Sequence, residues 1–285
     1  MSQTNIQRKD AKTQSTEKGL MKTRKPQPSL SIILITLNEQ RNIIRCLGSV
    51  RFSKKVFPRQ EIIVVDAESQ DQTVKIARTF GAKVFVRRWK GYTDQKNWAL
   101  AKAKGDWILS LDSDEEMTPK LTAEIEAKAL LAHAEVNGFW IKRKTFFLDK
   151  WMKHCGWWPD FQLRLVRQGK SYNTNEPLHA GLEVTGQTLQ LNEPMNHYPV
   201  ETVHQYLEKI NRYSALDVMA MKPKKKKYWP YYLTVAPLMT FIRTFISRQG
   251  YKDGWHGLVL CGLDTFHDFC RYAKLWEKEI LKRHE

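Results

Sequence analysis

Short apolar runs alternate with segments of helical periodicity through the first half of the chain. The apolar runs are rich in branched side chains, which is typical of buried strands. They lie at residues 30–39, 61–66, 83–86 and 107–111. Between them, apolar positions recur at helical spacing in residues 39–50, 73–80 and 94–104. Because strands covered on both faces are typical of parallel sheets, the alternation predicts an α/β fold with a doubly wound, Rossmann-like nucleotide-binding half.

Polar side chains follow three of these strands at the point where each strand ends. The three clusters are Thr36–Glu39, Asp66–Ser69 and Asp112–Glu115. Ligands of doubly wound sheets bind outside the carboxyl ends of the strands, along one edge of the sheet. We therefore expect the three clusters to form a single site.

Carboxylates crowd the end of the fourth strand, at Asp112, Asp114, Glu115 and Glu116. Like charges repel, and a divalent cation with oxygen ligands would relieve the repulsion, since Mg²⁺ binds through one or two carboxylates plus substrate phosphates. The chain has no G-x-G-x-x-G fingerprint after the first strand and no P-loop lysine motif, so a metal is the expected means of neutralising phosphates. The alternative is a solvated turn leading into a helix at 119–133, with Thr118 as its N-cap.

The order and spacing of several motifs resemble those of family 2 glycosyltransferases with the GT-A fold. These motifs are Ser31-Ile-Ile-Leu-Ile-Thr-Leu-Asn-Glu39, Val64-Val-Asp-Ala-Glu-Ser-Gln-Asp-Gln-Thr73, Gln95-Lys-Asn97 and Leu111-Asp-Ser-Asp-Glu115. Farther along, Trp157-Trp-Pro-Asp-Phe-Gln-Leu-Arg-Leu165, His197-Tyr-Pro199 and Lys209-Ile-Asn-Arg-Tyr-Ser214 are similar to segments of lipopolysaccharide inner-core β-glucosyltransferases. The resemblance implies a GT-A domain over residues 29–215, with a nucleotide-binding half followed by an acceptor half.

The resemblance also implies which residues bind the nucleotide-sugar donor. Asp66 would contact the uracil or the ribose, while Thr36 and Glu39 would line the nucleotide pocket. Lys96 and Asn97 would lie on the diphosphate side of that pocket. These residues are our candidates for donor binding.

A divalent cation, Mg²⁺ or Mn²⁺, is implied by the same resemblance. Asp112 would contact both the ribose and the metal, and Asp114 would hold the metal on the diphosphate. His179 is a further candidate ligand, although Ala180 stands where related enzymes usually have an acid. His197 either completes a metal or phosphate shell or turns a corner of the chain.

Asp160 is the candidate general base for an inverting transfer. Inversion requires a carboxylate to accept the acceptor hydroxyl's proton on the face opposite the leaving nucleotide, and Asp160 lies among aromatic residues before a strand-like segment. The alternatives are a salt bridge between Asp160 and Arg164, and Glu176 as the base. The neighbouring Trp157 and Trp158 are expected either to pack in the core or to stack on the acceptor sugar.

Positive charge gathers towards the two ends of the chain. Lys and Arg number 47 against 30 Asp and Glu, a net charge of +17 that indicates an anionic partner. Residues 1–28 are polar and basic, which predicts a disordered tail. Within 216–285 a lysine-rich run, 222–230, overlaps the start of the uncharged segment 228–242, which is too short for a spanning helix. We expect a helical region that associates with an anionic membrane surface, the alternative being a helical cap on the domain.

Together these features predict a metal-dependent, inverting glycosyltransferase without a nucleic-acid partner. The resemblance implies transfer of a hexose, glucose from UDP-glucose, to a lipopolysaccharide or lipooligosaccharide core sugar by a peripheral protein at the cytoplasmic face of the inner membrane. Within the family, the alternative acceptor is another lipid-linked saccharide or a polyprenyl phosphate. From another class, a basic nucleic-acid- or membrane-binding protein fits the charge but leaves Asp66, Asp112 and Asp114 unexplained.

Overall fold

The computed structural model describes residues 27–131, 135–174, 181–221 and 228–281. The strands are β1 Leu30–Thr36, β2 Gln60–Asp66, β3 Lys83–Val86, β4 Trp107–Leu111, β5 Glu115–Glu116, β6 Val136–Phe147, β7 Lys150–Trp151, β8 Asp160–Arg167, β9 Ser171–Asn173, β10 Leu182–Val184, β11 Gln187–Gln190 and β12 Met195–Val200. The helices are α1 Gln40–Ser49, α2 Thr73–Thr79, α3 Tyr92–Lys102, α4 Pro119–Leu131, α5 Val203–Ala220, α6 Ala236–Phe241 and α7 Gly254–Leu281.

The first four strands form the predicted parallel, Rossmann-like half. They lie in the order β3-β2-β1-β4, and each neighbouring pair is parallel. The register places Thr36 beside Asp66 at the carboxyl ends of β1 and β2. β1 ends three residues before the apolar run does, because Asn38 turns the chain with a left-handed backbone conformation, φ 55°.

Burial on both faces explains why these strands are continuously apolar. Successive side chains of a strand point to opposite faces. Ile32 and Leu34 of β1 pack into one core cluster, whereas Ile33 packs into another with Ile63 of β2 and Ile108 of β4. Helices cover each face, so most side chains of these strands contact apolar neighbours rather than solvent.

The predicted acceptor half continues the same sheet with antiparallel and parallel pairing. β8 pairs antiparallel with both β4 and β6, and β6 pairs parallel with β12. The register aligns Arg143 of β6 with Asp160 of β8. The two-residue strand β5 pairs antiparallel with β12 and aligns Glu115 with His197. The sheet therefore brings residues far apart in sequence to the loop after β4.

The C-terminal helices pack on the predicted acceptor half. α7 contacts α5 and α6, and Leu260 and Cys261 of α7 join a buried cluster with Phe147 and Val200 of the sheet. α5 runs through the predicted domain boundary at residue 215. Across the described ranges, no helix has both the length and the apolarity that a bilayer crossing requires. Residues 1–26 of the predicted basic tail lie outside the described residues.

Candidate active site

Asp66 organises the loop that follows β2. Its carboxylate is fully buried and accepts hydrogen bonds from the Thr36 hydroxyl at 2.7 Å, the Ser69 hydroxyl at 2.6 Å and the Ser69 backbone N–H at 2.8 Å. The Ser69 hydroxyl oxygen also accepts from the Asn38 N–H at 2.8 Å. These bonds join two of the three predicted clusters.

Asp112 is held as an anion by two cations. Lys96 of α3 lies 3.0 Å from Oδ1, and the Arg164 guanidinium of β8 contacts Oδ2. Burial opposes ionisation, but the charges of Arg164 and Lys96 outweigh it and hold the Asp112 pKa well below its usual value. Lys96 therefore lies at the predicted site through its contact with Asp112. Arg164 is not the partner of Asp160.

Asp114 faces His197 of β12, which the pairing of β5 with β12 brings beside it. His197 Nε2 lies 3.5 Å from Asp114 Oδ2, and His197 Nδ1 lies 3.1 Å from the Thr145 hydroxyl. Burial raises the Asp114 pKa, but the hydrogen bond and the electrostatic interaction with His197 lower it overall. Glu39 is nearby, and its own burial, with the Asp114 charge, raises the Glu39 pKa.

This arrangement fits a divalent cation shared with a substrate. The Asp114 oxygen and the His197 nitrogen are spaced as two ligands of one ion can be, and Thr145 orients the ring as an outer-shell partner does. No group of three or more His, Cys, Asp and Glu side chains with the geometry of a metal site occurs within the described residues. A cation here would therefore take its remaining oxygens from substrate phosphates or water, as Mg²⁺ commonly does.

A chain of buried charges connects the loop after β4 with Asp160. Glu115 is fully buried and accepts from the Arg164 guanidinium at 2.5 Å, while Arg143 lies 3.6 Å away on its other side. Arg143 in turn donates to Asp160 at 2.5 and 2.7 Å. The order is thus Asp112, Arg164, Glu115, Arg143, Asp160. Asp160 therefore forms a salt bridge, as the alternative interpretation predicted, but its partner is Arg143 and not Arg164.

Replacing Glu115 by alanine is expected to destabilise the fold strongly. The change would leave the buried Arg164 and the partly buried Arg143 without their shared carboxylate, and breaking a buried pair in this way costs about 3–5 kcal/mol of unfolding free energy. Chemical denaturation of the wild type and of Glu115→Ala measures the difference. The matched control is Lys83→Ala, which breaks an exposed ion pair with Glu61 at 2.8 Å and should cost about 1 kcal/mol or less. Equal costs for the two variants would contradict the buried-chain account.

Two cavities meet at this site. The Asp114 cavity, of about 450 Å³, is lined among others by Asn38, Glu39, Asp71, Asp114, Tyr198 and Arg212. The Asp160 cavity, of about 520 Å³, is lined among others by Arg143, Trp157, Asp160, His197, Tyr206 and Tyr213. Pro199, Val200 and Lys209 line both cavities. The metal-site candidates and the base candidate therefore lie in adjoining spaces with a common wall.

Three of the remaining predicted residues lie in the described part of the chain and two lie outside it. Trp157 lines the Asp160 cavity, whereas Trp158 packs edge-on against Trp151 and lies under the Lys142 ammonium. Both ends of the Asn97 amide bond the backbone of Asn173, at 2.7 and 3.1 Å, so this side chain ties α3 to β9. The alternative base Glu176 and the candidate ligand His179 lie outside the described residues.

Sequence reasoning missed the buried role of Glu115 and the contribution of Arg143. Glu115 lies in an acidic segment whose composition is typical of a solvated turn. The available indication was Arg164, which lies between two leucines of a strand-like segment, since a buried arginine needs a carboxylate partner. Arg143 lies between two lysines and gives no such indication. Their pairing depends on the β6–β8 register, which periodicity does not reveal.

Comparison with known families identifies the class of chemistry. The family described as "Glycosyl transferase family 2" matches residues 31–181, more than half of the 285-residue chain. The chain belongs to this family. The predicted class of enzyme, a glycosyltransferase, is confirmed. The family match spans β1 to the end of β9, which includes Asp112, Asp114 and Asp160.

Relatives extend the similarity beyond the family match. An uncharacterized glycosyltransferase from Rickettsia felis is 31% identical over 272 residues, covering 90% of this chain and 94% of the relative. The lipopolysaccharide core biosynthesis glycosyltransferase LpsC from Rhizobium meliloti is 24% identical over 90% of this chain and 95% of its own length. Among solved structures, the mannosyltransferase PcManGT from Pyrobaculum calidifontis has a TM-score of 0.48 at 13% identity, covering 92% of this chain and 89% of that one.

Proposed function

We propose that this family 2 glycosyltransferase is an inverting, metal-dependent enzyme that transfers glucose from UDP-glucose to a lipopolysaccharide core saccharide. One observation carries the proposal: Asp114, with His197 beside it, and Asp160 face two adjoining cavities that share a wall. One cavity offers a place for the nucleotide diphosphate and the other a place for the acceptor. The similarity to LpsC along most of both chains supports the choice of acceptor.

The donor side of the proposal assigns roles to the groups around the loop after β4. Asp114 and His197 would hold Mg²⁺ or Mn²⁺, with Asp112 beside them. The bound cation would stabilise charge on the diphosphate as a Lewis acid. Lys96 and Arg164 fix the Asp112 carboxylate, so that it cannot swing away when the donor binds. Lys209, which lines both cavities, adds positive charge where the leaving group departs.

On the acceptor side, Asp160 is positioned to take a proton. Arg143 binds one of its carboxylate oxygens, and Gln162 Nε2 donates to the other at 2.8 Å. Both oxygens keep further lone pairs, and the carboxylate faces the cavity. An acceptor hydroxyl hydrogen-bonded to Asp160 would lose its proton as it attacks the sugar carbon.

The lining of the Asp160 cavity suits a saccharide. Trp157, Tyr206 and Tyr213 present aromatic surface, and His197 and Lys209 present polar groups. Apolar ring faces combined with a few polar groups fit a sugar, which has CH faces and a hydroxyl rim. A core saccharide linked to lipid would bring the enzyme to the cytoplasmic face of the inner membrane, where we place it as a peripheral protein.

A transfer assay tests the proposal. Purified full-length protein is incubated with UDP-glucose, Mn²⁺ and a delipidated core oligosaccharide, and the new anomeric configuration is determined by NMR coupling constants. The proposal predicts a β-linked glucose product from the α-linked donor. An α-linked product would contradict inversion, and transfer from GDP-mannose in preference to UDP-glucose would contradict the donor.

A further inference from the structure

The outward face of α7 carries no charged side chain over most of its length. Between residues 254 and 276, every exposed residue is apolar or glycine. These residues are Gly254, Trp255, Leu258, Val259, Gly262, Phe266, Phe269 and Trp276. They recur at helical spacing and therefore form one stripe, about 33 Å long at 1.5 Å per residue. Trp255 is 80% exposed, the most of any large apolar side chain in the described residues.

The polar residues of α7 point towards the protein instead. Asp264 accepts a hydrogen bond from the Tyr206 hydroxyl of α5 at 2.6 Å, and Lys274 donates to the Ser214 hydroxyl of α5 at 2.9 Å. Asp268 accepts from the Thr240 hydroxyl of α6. A helix on the surface of a soluble domain normally buries its apolar stripe and exposes its charges. In α7 the buried face carries these polar groups together with Leu260, Cys261 and Leu275, while the exposed face is apolar.

The helix before α7 repeats the pattern. We call residues 231–247 the α6 segment, which consists of α6 and the π-helical turns Tyr231–Val235 and Ile242–Ser247 on either side of it. No charged residue occurs from 228 to 242. The large exposed side chains recur every three or four residues and share one side of the helix; they are Tyr231, Val235, Leu238, Met239, Ile242 and Ile246. Apolar surface of this extent marks an interaction site.

Positive charge borders these apolar faces. Arg243 follows the uncharged part of the α6 segment, and Lys252 precedes α7; both are exposed. The stretch 222–227, outside the described residues, adds five lysines and no acid. In a two-fold dimer formed through this surface, the basic residues of one copy would face those of the other and repel them. An anionic bilayer satisfies both features, because its interior accepts the apolar side chains and its headgroups attract the lysines and arginines.

We propose that the outward faces of α7 and the α6 segment together form a docking surface that lies in the interface of an anionic lipid bilayer. The helices lie along the membrane plane with their apolar side chains in the headgroup–acyl boundary. Trp255 and Tyr231 are side chains that favour this boundary. The surface gives the proposed membrane location a structural basis, and its test does not depend on which sugar is transferred.

Vesicle binding by the full-length protein tests the docking surface. Binding to vesicles of phosphatidylglycerol and phosphatidylcholine is compared with binding to phosphatidylcholine alone. The double variant Trp255→Glu/Phe266→Glu places two carboxylates on the α7 stripe and should lose at least about tenfold in vesicle partitioning. The matched control, Leu131→Glu/Leu189→Glu, changes two exposed leucines elsewhere and should bind as the wild type does.

Each outcome is decisive when nucleotide binding and molecular mass are measured on the same samples. Loss of vesicle binding in the α7 variant, with UDP binding and mass unchanged, supports the docking surface whether or not transfer is later observed. Absence of wild-type binding to anionic vesicles overturns it, as does equal loss in both double variants. A wild-type dimer that the α7 variant dissociates, without vesicle binding, would assign the surface to a second copy of the chain.

Discussion

Replacing Asp160 by asparagine is expected to abolish sugar transfer while donor binding remains. Asparagine keeps the shape of the side chain and an oxygen that can accept from Arg143, but it cannot take up a proton at neutral pH. Loss of a general base lowers turnover by about 100- to 10,000-fold. Steady-state assays should therefore show a fall in kcat, with the affinity for UDP measured by calorimetry changed less than about twofold.

The control for this prediction separates loss of the base from damage to the buried charge chain. Asp160→Asn should unfold at a denaturant concentration close to that of the wild type, because Arg143 retains both Glu115 and the amide oxygen as partners. Wild-type turnover by a folded Asp160→Asn protein would contradict the assignment. The same result would transfer the role of base to Glu176.

Replacing Asp114 by alanine is expected to remove metal-dependent donor binding. Asp114 lies beside His197. Lys96 and Arg164 engage the two oxygens of the neighbouring Asp112 instead. Without Asp114, the proposed cation loses its main anionic ligand from the protein. We expect the affinity for UDP in the presence of Mn²⁺ to fall at least about 100-fold, since loss of a charged ligand removes a large local attraction.

The fold should survive this change, and a matched variant shows whether the effect is local. Asp114 pairs with His197 and is not a member of the chain from Asp112 to Asp160, so its loss leaves that chain intact. Asp149→Ala removes a carboxylate that is 88% exposed and bonded to His256, and it should bind UDP and Mn²⁺ as the wild type does. Unchanged metal-dependent binding by a folded Asp114→Ala protein would contradict the role of Asp114.

The nucleotide-binding half could be predicted from sequence because its order is local. Each strand and helix of this half has its own periodicity, and the parallel arrangement follows from runs that are apolar on both faces. β3 begins and ends where its apolar run does, at Lys83–Val86. Thr118 caps α4 as predicted, its hydroxyl accepting from the Leu121 N–H at 3.2 Å. These features depend on neighbours in sequence.

The site could be predicted only in part because its partners come from distant strands. The loop after β4 was expected to hold charged ligands, but the pairing of β5 with β12 that brings His197 to Asp114 joins residues 83 positions apart. Likewise, Glu115 is buried only because β6 and β8 deliver Arg143 and Arg164 to it. Periodicity gives the existence of these strands, while their register depends on tertiary packing.

The orientation of α7 is a second feature that could not be predicted from the sequence alone. Its sequence has a continuous apolar stripe and an opposite side on which polar residues alternate with apolar ones, which predicts an amphipathic helix. Which stripe faces the protein depends on the partners available, here the Tyr206 and Ser214 hydroxyls of α5. The usual assumption that the apolar stripe is buried would have hidden the docking surface.

Calorimetric titration with nucleotides tests the central claim most directly. The purified protein is titrated with UDP, UDP-glucose and GDP-mannose, first with Mn²⁺ and then with EDTA. The account predicts binding of UDP and UDP-glucose that requires the metal and exceeds the binding of GDP-mannose. Absence of nucleotide binding under both conditions, or equal binding of all three nucleotides in EDTA, would contradict a metal-dependent, uridine-selective donor site at Asp114.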